Sequence, residues 1–165
     1  MEQIHTIAPV FDKNSRILIL GSFPSVKSRE AKFFYGHPQN RFWKTLAAVM
    51  NSECPQTIDD KKRFLLDNRI AIWDVIKSCD IDGSADSSIK NVVPNDFTEI
   101  LSTADIRQIY ANGAASYSLY KKYCEKTTGR EIIKLPSTSP ANAQFSLERL
   151  VAEWSIIKNE KAGND

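Results

Sequence analysis

The chain has 165 residues, 42% of them hydrophobic and 25% charged, which is the composition of one globular domain. The formal net charge of +2 is too small to indicate a partner. Three widely spaced cysteines and two histidines argue against a disulfide framework and against a metal site. No apolar run approaches the ~20 residues that cross a membrane, and the N-terminus lacks the features of a signal peptide. We therefore expect a single domain over residues 1–165, located in the cytoplasm, without metal, cofactor or membrane contact.

Hydrophobic patterns predict strands that alternate with helices along the chain. Short apolar runs predict four buried strands, at residues 16–21, 70–76, 106–111 and 131–135. Helical spacing of apolar residues predicts helices at residues 41–50, 59–67, 96–102 and 114–124. A last helix carries an apolar stripe formed by Leu147, Leu150, Val151, Trp154 and Ile157. The polar tail at residues 158–165 is expected to fray.

This order of elements predicts an α/β fold, a single three-layer α/β/α domain with a short, mostly parallel central sheet. Such sheets bind ligands beyond the carboxyl ends of their strands, which selects the loops after Leu20, Ile76 and Leu135. The fold alone does not define a chemistry. Neither Gly-x-Gly-x-x-Gly nor the P-loop motif occurs in the chain, so dinucleotide and nucleoside triphosphate binding lose most of their support.

Two segments at the predicted ligand edge carry the chemical signal. The first is Gly21-Ser-Phe-Pro-Ser25, followed by Phe33-Phe-Tyr-Gly-His-Pro-Gln-Asn-Arg-Phe-Trp43, and the second is Leu135-Pro-Ser-Thr-Ser-Pro-Ala-Asn142. Together they resemble the two active-site motifs of the uracil-DNA glycosylase superfamily. Residues 36–44 resemble the G·U mismatch-specific branch, whereas the Gly-Ser-Phe-Pro-Ser and Ser-Pro-Ala-Asn pieces resemble the hypoxanthine-DNA (deoxyinosine) glycosylase branch.

The resemblance implies a monofunctional DNA glycosylase of base excision repair. Such an enzyme flips a deaminated base out of double-stranded DNA and hydrolyses its N-glycosidic bond without a metal. Hypoxanthine is the leading substrate, and we expect a monomer. The alternatives are a G·U mismatch-specific uracil glycosylase, a catalytically inactive module that binds damaged DNA, and a small-nucleotide binder on a similar sheet.

The resemblance assigns the base pocket to Gly21, Ser22, Phe23, Tyr35 and His37. Tyr35 occupies the position of the ring that stacks on the flipped base, although a rim or core tyrosine is the other interpretation. His37 either contacts the base or a phosphate, or hydrogen-bonds to its own turn. Phe23 stands where many relatives carry an Asn or Asp that positions the water. Phenylalanine cannot do this, and the departure favours the inactive module.

Two residues are candidates for catalysis. The resemblance to the hypoxanthine branch suggests Asn40, whose amide offers one acceptor and two donors but no general base. Asn40 is also suited to cap the helix that begins near Arg41, and both roles are compatible. Asp74 follows a buried strand at the same edge of the sheet. It is either a water-activating carboxylate or a structural acid in a salt bridge.

DNA contacts are predicted on both segments. Residues 26–44 contain five basic side chains and one acid, which indicates either a basic rim around a phosphate-binding cleft or a solvated face. Residues 77–105 carry a local charge of −4 and predict an acidic surface elsewhere. The loop before the last helix would bring hydroxyls and backbone N–H groups to phosphate, with Ala141 or Asn142 entering the duplex. Together these segments predict DNA contacts at Lys27, Arg29, Lys32, Ser137, Thr138, Ser139, Ala141 and Asn142.

Overall fold

The computed structural model describes residues 2–161, in which strands and helices alternate as the sequence predicts. The strands are β1 (Glu2–Ile4), β2 (Ile17–Gly21), β3 (Ile70–Asp74), β4 (Ile76–Asp80), β5 (Lys90–Pro94), β6 (Gln108–Asn112) and β7 (Ile132–Leu135). The helices are α1 (Val26–Ala31), α2 (Phe42–Val49), α3 (Ile58–Asp67), α4 (Thr98–Thr103), α5 (Ala114–Tyr123), α6 (Glu125–Thr128), α7 (Leu147–Trp154) and α8 (Ile157–Lys161). None of the helices in residues 2–161 has both the length and the apolar character needed to cross a membrane.

The central sheet has four parallel strands in the order β3-β2-β6-β7. Within β2, Ile17 and Ile19 face one core cluster, whereas Leu18 and Leu20 face the other. Helices α2 and α7 cover the first face, and α4 and α5 cover the second. Alternate side chains of one strand are therefore buried on both faces, and the predicted three-layer α/β/α arrangement is confirmed.

The register of the sheet brings four strand ends to one edge. Gly21 at the end of β2 pairs with Asp74 at the end of β3. On the other side of β2, Asn112 at the end of β6 pairs with Leu135 at the end of β7. Residues that are 53 positions apart in the first pair and 23 in the second thus meet where a parallel sheet binds its ligands.

The predicted strand at residues 70–76 divides in two. After Asp74, the N–H groups of Val75 and Ile76 bond to the carbonyls of Gly21 and Ser22, and the chain then leaves the parallel sheet. Strand β4 pairs antiparallel with β1 and with β5 in a second, three-stranded sheet. The prediction of a ligand loop directly after Ile76 is therefore wrong, because β4 continues there.

The apolar stripe near the C-terminus covers two helices instead of one. Helix α7 ends beside Ser155, whose hydroxyl donates to the carbonyl of Val151 and competes with the helical pattern. Leu150, Trp154 and Ile157 are fully buried as predicted, but Leu147 is 38% exposed. Residues 158–161 belong to α8, and fraying of the tail stays a prediction. Residues 162–165 lie outside the described residues.

Candidate active site

A cavity of about 380 Å³ opens at the carboxyl edge of the parallel sheet. This volume lies in the usual range for small-molecule sites. Of the predicted site residues, it is lined by Gly21, Ser22, Phe23, Tyr35, His37, Asn40, Asp74, Ser137, Thr138, Ser139 and Ala141. Lys27, Arg29, Lys32 and Asn142 lie outside this lining. The cavity therefore joins both candidate catalytic side chains to the predicted base pocket.

The carboxamide of Asn40 is held through its oxygen. Oδ1 accepts a hydrogen bond from the N–H of Phe42 (2.9 Å) and a second from the hydroxyl of Thr138 (2.8 Å). A backbone N–H can only donate, so the atom facing it must be the oxygen, which fixes the orientation of the amide. Thr138 is completely buried, and its hydroxyl accepts from Nδ2 of Asn112 (3.0 Å) while its N–H donates to Asn112 Oδ1 (3.0 Å).

This network leaves the donor end of Asn40 free. Both lone pairs of Oδ1 are engaged, whereas Nδ2 has no hydrogen-bond partner within residues 2–161. Asn40 thus presents N–H groups and no free acceptor. Such a group suits negative charge that develops on a ligand better than it suits the activation of water.

Asp74 has the opposite arrangement. Its side chain is almost fully buried, and its Oδ2 lies 2.8 Å from Nε2 of His5, the residue that follows β1. The N–H of Ile7 donates to Nδ1 of His5 (3.2 Å), so Nδ1 carries no hydrogen and Nε2–H is the donor to Asp74. Oδ1 of Asp74 has no partner within the described part of the chain. The carboxylate therefore offers an acceptor to the cavity.

Gly21 has no side chain, and this absence leaves room for Oδ1 of Asp74. A Cβ atom placed on Gly21 would lie 2.5 Å from Oδ1 of Asp74 and 3.0 Å from the hydroxyl of Tyr35. Real Cβ atoms do not approach an oxygen so closely, so any larger residue would displace the carboxylate. The glycine is required by this approach, since its own backbone conformation is ordinary for an extended strand.

Tyr35 lies in the floor of the cavity in a strained conformation. Its φ of 52° is uncommon for a residue other than glycine, and its ring stacks on Phe42 with centroids 3.9 Å apart. Its hydroxyl is buried without a hydrogen-bond partner in residues 2–161. Burial, and to a lesser degree the negative charge of Asp74, raise the pKa of Tyr35 well above its ordinary value. The side chain of Asn112 has a smaller effect that lowers this pKa. The hydroxyl thus remains a neutral donor, and only one ring face is left for a stacked base.

Two further pocket residues have defined contacts. The ring of Phe23 packs edge-on against His5, with centroids 5.8 Å apart, and forms an apolar wall of the cavity. His37 makes the hydrogen bond within its own turn that is one of its two predicted roles. Its Nδ1 accepts from the N–H of Gln39 in its own turn (3.1 Å), while Nε2 has no partner among the described residues and can donate to a ligand.

The loop after β7 is fixed to the first segment by Arg41. The N–H of Arg41 donates to Thr138, and its guanidinium donates to the carbonyls of Ser139, Asn142 and Phe145. Arg41 counts toward the positive charge of residues 26–44, but this guanidinium is engaged within the protein.

The same loop uses its own N–H groups internally. Those of Ser139 and Ala141 donate to the hydroxyl oxygens of Ser137 and Ser139, and the side-chain amide of Asn142 donates to the carbonyl of Ser137. The Ser137 and Ser139 hydroxyl hydrogens remain available to a phosphate. Ala141 is exposed at the rim of the cavity.

The predicted DNA-contacting basic residues divide into two kinds. Lys27 and Lys32 are exposed, and Lys27 lies 3.7 Å from Glu30. Arg29 donates to the carbonyl of Gly83 and lies over the ring of Phe23. The acidic segment is not confined to a distant surface, because Asp86 lines the same cavity.

Comparison with known proteins identifies the family. A model of the Uracil DNA glycosylase superfamily matches residues 8–158. The chain belongs to this superfamily. It is therefore a DNA glycosylase by class, as the two sequence motifs predict.

Curated relatives and a solved structure cover almost the whole chain. A hypoxanthine DNA glycosylase of Methanosarcina acetivorans is 36% identical over 90% of this chain and 93% of its own length. A hypoxanthine DNA glycosylase of Methanosarcina barkeri is 34% identical over 89% of this chain and 92% of its own. The solution NMR structure of a M. acetivorans protein, provisionally assigned as a uracil DNA glycosylase, has a TM-score of 0.82 and 33% identity, and the alignment covers 99% of this chain and 100% of that one.

Sequence reasoning missed two groups in this glycosylase site. His5 lies 69 residues from Asp74, directly after a three-residue strand with no apolar pattern, so nothing in the sequence linked the two. Asn112 directly follows the strand predicted at residues 106–111 and is not among the predicted site residues. Its position at the end of a parallel strand was the signal that could have placed it at the cavity.

Proposed function

We propose that this DNA glycosylase releases hypoxanthine from deoxyinosine in double-stranded DNA, as a monomeric, monofunctional enzyme of base excision repair inside the cell. The choice of base is supported by the two relatives that are named hypoxanthine DNA glycosylases and cover about nine tenths of the chain. The observation that carries the mechanism is the amide of Asn40, held by its oxygen with its N–H groups free at the cavity.

In the proposed reaction the bond between C1′ of deoxyribose and N9 of hypoxanthine breaks. The electron pair of that bond goes to the purine, and the oxygen of a water molecule bonds to C1′. Asn40 Nδ2 donates to the base as negative charge develops on it, which stabilises the transition state more than the ground state. The free Oδ1 of Asp74 orients the water and accepts its proton. The proton that Asp74 accepts from the water then passes through solvent to the base, which leaves as neutral hypoxanthine while the carboxylate is regenerated.

The remaining pocket residues have binding roles in this proposal. The open face of Tyr35 stacks on the flipped purine, and Nε2 of His37 donates to the base or to a flanking phosphate. Phe23 provides an apolar wall in place of the water-binding Asn or Asp of relatives, so the water-binding role moves to Asp74. The hydroxyls of Ser137 and Ser139 contact the backbone, and Ala141 enters the gap in the duplex.

Water is the proposed nucleophile because no residue lining the cavity is a lysine. A lysine would form a Schiff base with the sugar and cleave the strand. The proposal therefore requires an intact strand with an abasic site as product. Trapping of a covalent adduct between this protein and deoxyinosine DNA by borohydride would contradict it.

The test is excision from oligonucleotides that carry one hypoxanthine, one uracil or one xanthine, followed by alkali to cleave abasic sites. We expect the fastest release from the hypoxanthine duplex and none from an undamaged control. Faster release from a G·U duplex would assign the chain to uracil. Binding to hypoxanthine DNA without release of any base would make it an inactive damage-binding module.

A further inference from the structure

A buried histidine outside the two sequence motifs contacts the cavity through Asp74. His5 directly follows β1, the N-terminal strand of the antiparallel sheet, and its side chain is only 2% exposed. Its ring lies among the rings of Phe23, Phe34 and Trp73, with centroid distances of 5.8, 6.0 and 6.3 Å. An imidazole this well enclosed by aromatic groups has little freedom to rotate.

Both ring nitrogens of His5 have fixed roles. Nδ1 accepts from the backbone N–H of Ile7, so the hydrogen of the neutral ring is on Nε2 and is directed at Oδ2 of Asp74. A second constraint acts on the main chain of Asp74, whose carbonyl accepts from Nδ2 of Asn95 (2.9 Å). One carboxylate oxygen is therefore bound and the other is directed into the cavity.

The free oxygen lies beside a second unpaired polar group. Oδ1 of Asp74 and the hydroxyl of Tyr35 lie 2.5 and 3.0 Å from the position that a Cβ atom on Gly21 would take, and neither has a hydrogen-bond partner within residues 2–161. The carboxylate oxygen can accept and the hydroxyl can donate. This pair can therefore hold one water molecule, which needs at least two polar partners in a buried site.

We infer that His5 is a positioning residue: it binds one oxygen of Asp74 so that the other oxygen, with the hydroxyl of Tyr35, holds the attacking water. The inference rests on the proposed glycosylase function. His5 acts only through Asp74 and does not touch the base. Loss of its N–H leaves the buried carboxylate free to rotate away from the water, and the chemical step slows while DNA binding does not change.

The test compares His5→Leu, which removes the donor, with His5→Gln, whose side-chain amide can place an N–H near the position of Nε2. Single-turnover release of hypoxanthine is measured with saturating protein, together with DNA affinity and melting temperature. We expect His5→Leu to lower the rate by roughly 10- to 100-fold, the range known for partners that orient metal-binding side chains. His5→Gln should recover most of the rate, and neither variant should change the affinity.

A double-mutant cycle separates positioning from a general effect on the fold. In an Asp74→Asn background, His5→Leu should cause no further loss of rate, because the group that it positions is already absent. A multiplied loss in the double variant, or a folded His5→Leu with the wild-type rate, would overturn the inference. If the wild-type chain releases no base at all, the proposed function has failed as well.

A measurement on the unaltered chain covers the case in which a His5 variant does not fold. Long-range ¹H–¹⁵N spectra of the histidine rings report which nitrogen carries hydrogen. We expect one of the two histidine rings to be in the Nε2–H form, and His5→Gln identifies its signals. Assignment of the hydrogen of His5 to Nδ1 would overturn the inference, because Nε2 could then not donate to Asp74.

Discussion

Asn40 and Asp74 line the same cavity, but the surrounding groups leave different atoms free on each. Oδ1 of Asn40 accepts two hydrogen bonds from the protein, and its N–H groups have no partner among the described residues. Oδ2 of Asp74 accepts a hydrogen bond from His5, and Oδ1 has no partner among the described residues. Hydrolysis of a glycosidic bond needs both a donor at the leaving base and an acceptor at the water, so one residue suits each task. The contacts that a side chain makes within the protein, and not its residue type alone, therefore decide its chemistry.

The largest expected effect is that of Asp74→Asn. The substitution keeps the size of the side chain and an oxygen for the N–H of His5, but it places an N–H₂ group where the free carboxylate oxygen lies. We predict a loss of about 10²- to 10⁴-fold in single-turnover excision, the usual contribution of a general base. The fold should persist in near-ultraviolet circular dichroism. A rate within about threefold of wild type would leave Asp74 a structural acid.

Gly21→Ala is predicted to displace the same oxygen of Asp74 by steric contact. Its Cβ would lie 2.5 Å from Oδ1 of Asp74, and the carboxylate is held by His5, so we expect excision to fall at least tenfold. Gly129→Ala is the matched control. Gly129 has a φ of 67° with no atom within 4 Å of an added Cβ, so it should cost about 1–2 kcal/mol of stability from backbone strain and no activity. Equal activity of the two variants would contradict the close approach.

Thr138→Val tests the Asn40 side of the cavity. It removes the buried hydroxyl that donates to Asn40 and accepts from Asn112, at nearly constant volume. We predict a loss of about 1–3 kcal/mol in the free energy of unfolding, because buried polar atoms lose their partners. Excision should fall several-fold as the amide gains freedom. Thr138→Ser keeps the hydroxyl and should remain near wild type in both denaturant melts and rates.

The smallest expected effect is on DNA affinity. Lys27 and Lys32 are exposed and lie outside the cavity lining, so the double variant Lys27→Glu and Lys32→Glu should weaken binding without changing the saturated rate. Each lost phosphate contact should reduce the slope of log affinity against log salt by about 0.9. Lys122→Glu with Lys126→Glu makes the same charge change near the end of α5. If both pairs change the slope equally, the DNA does not follow the first segment.

Much of the fold could be predicted because its main signals are local. The four runs of apolar residues that form the parallel sheet each end at a turn, and the order of strands and helices alone favours three layers. Strands β4 and β5 carried no such signal. Both are only partly buried, and only Ile76, the first residue of β4, lies within the strand predicted at residues 70–76.

The candidate site was predictable where it lies in the motifs and at the strand ends. Asn40 and Asp74 were both named on those grounds, although the motif could not say which of them handles the water. That distinction depends on partners distant in sequence. Thr138 is 98 residues from Asn40, and His5 is 69 residues from Asp74. Only the folded chain shows which lone pairs these partners occupy.

The most direct test of the account is single-turnover release of hypoxanthine by Asn40→Asp. Aspartate keeps an oxygen for the N–H of Phe42 and the hydroxyl of Thr138, so stability should change little. It replaces the free N–H₂ with a second oxygen. If Asn40 donates to the leaving base, the rate should fall by about 10²- to 10³-fold or more with the melting temperature nearly unchanged. A folded Asn40→Asp that excises hypoxanthine at close to the wild-type rate would contradict the central claim.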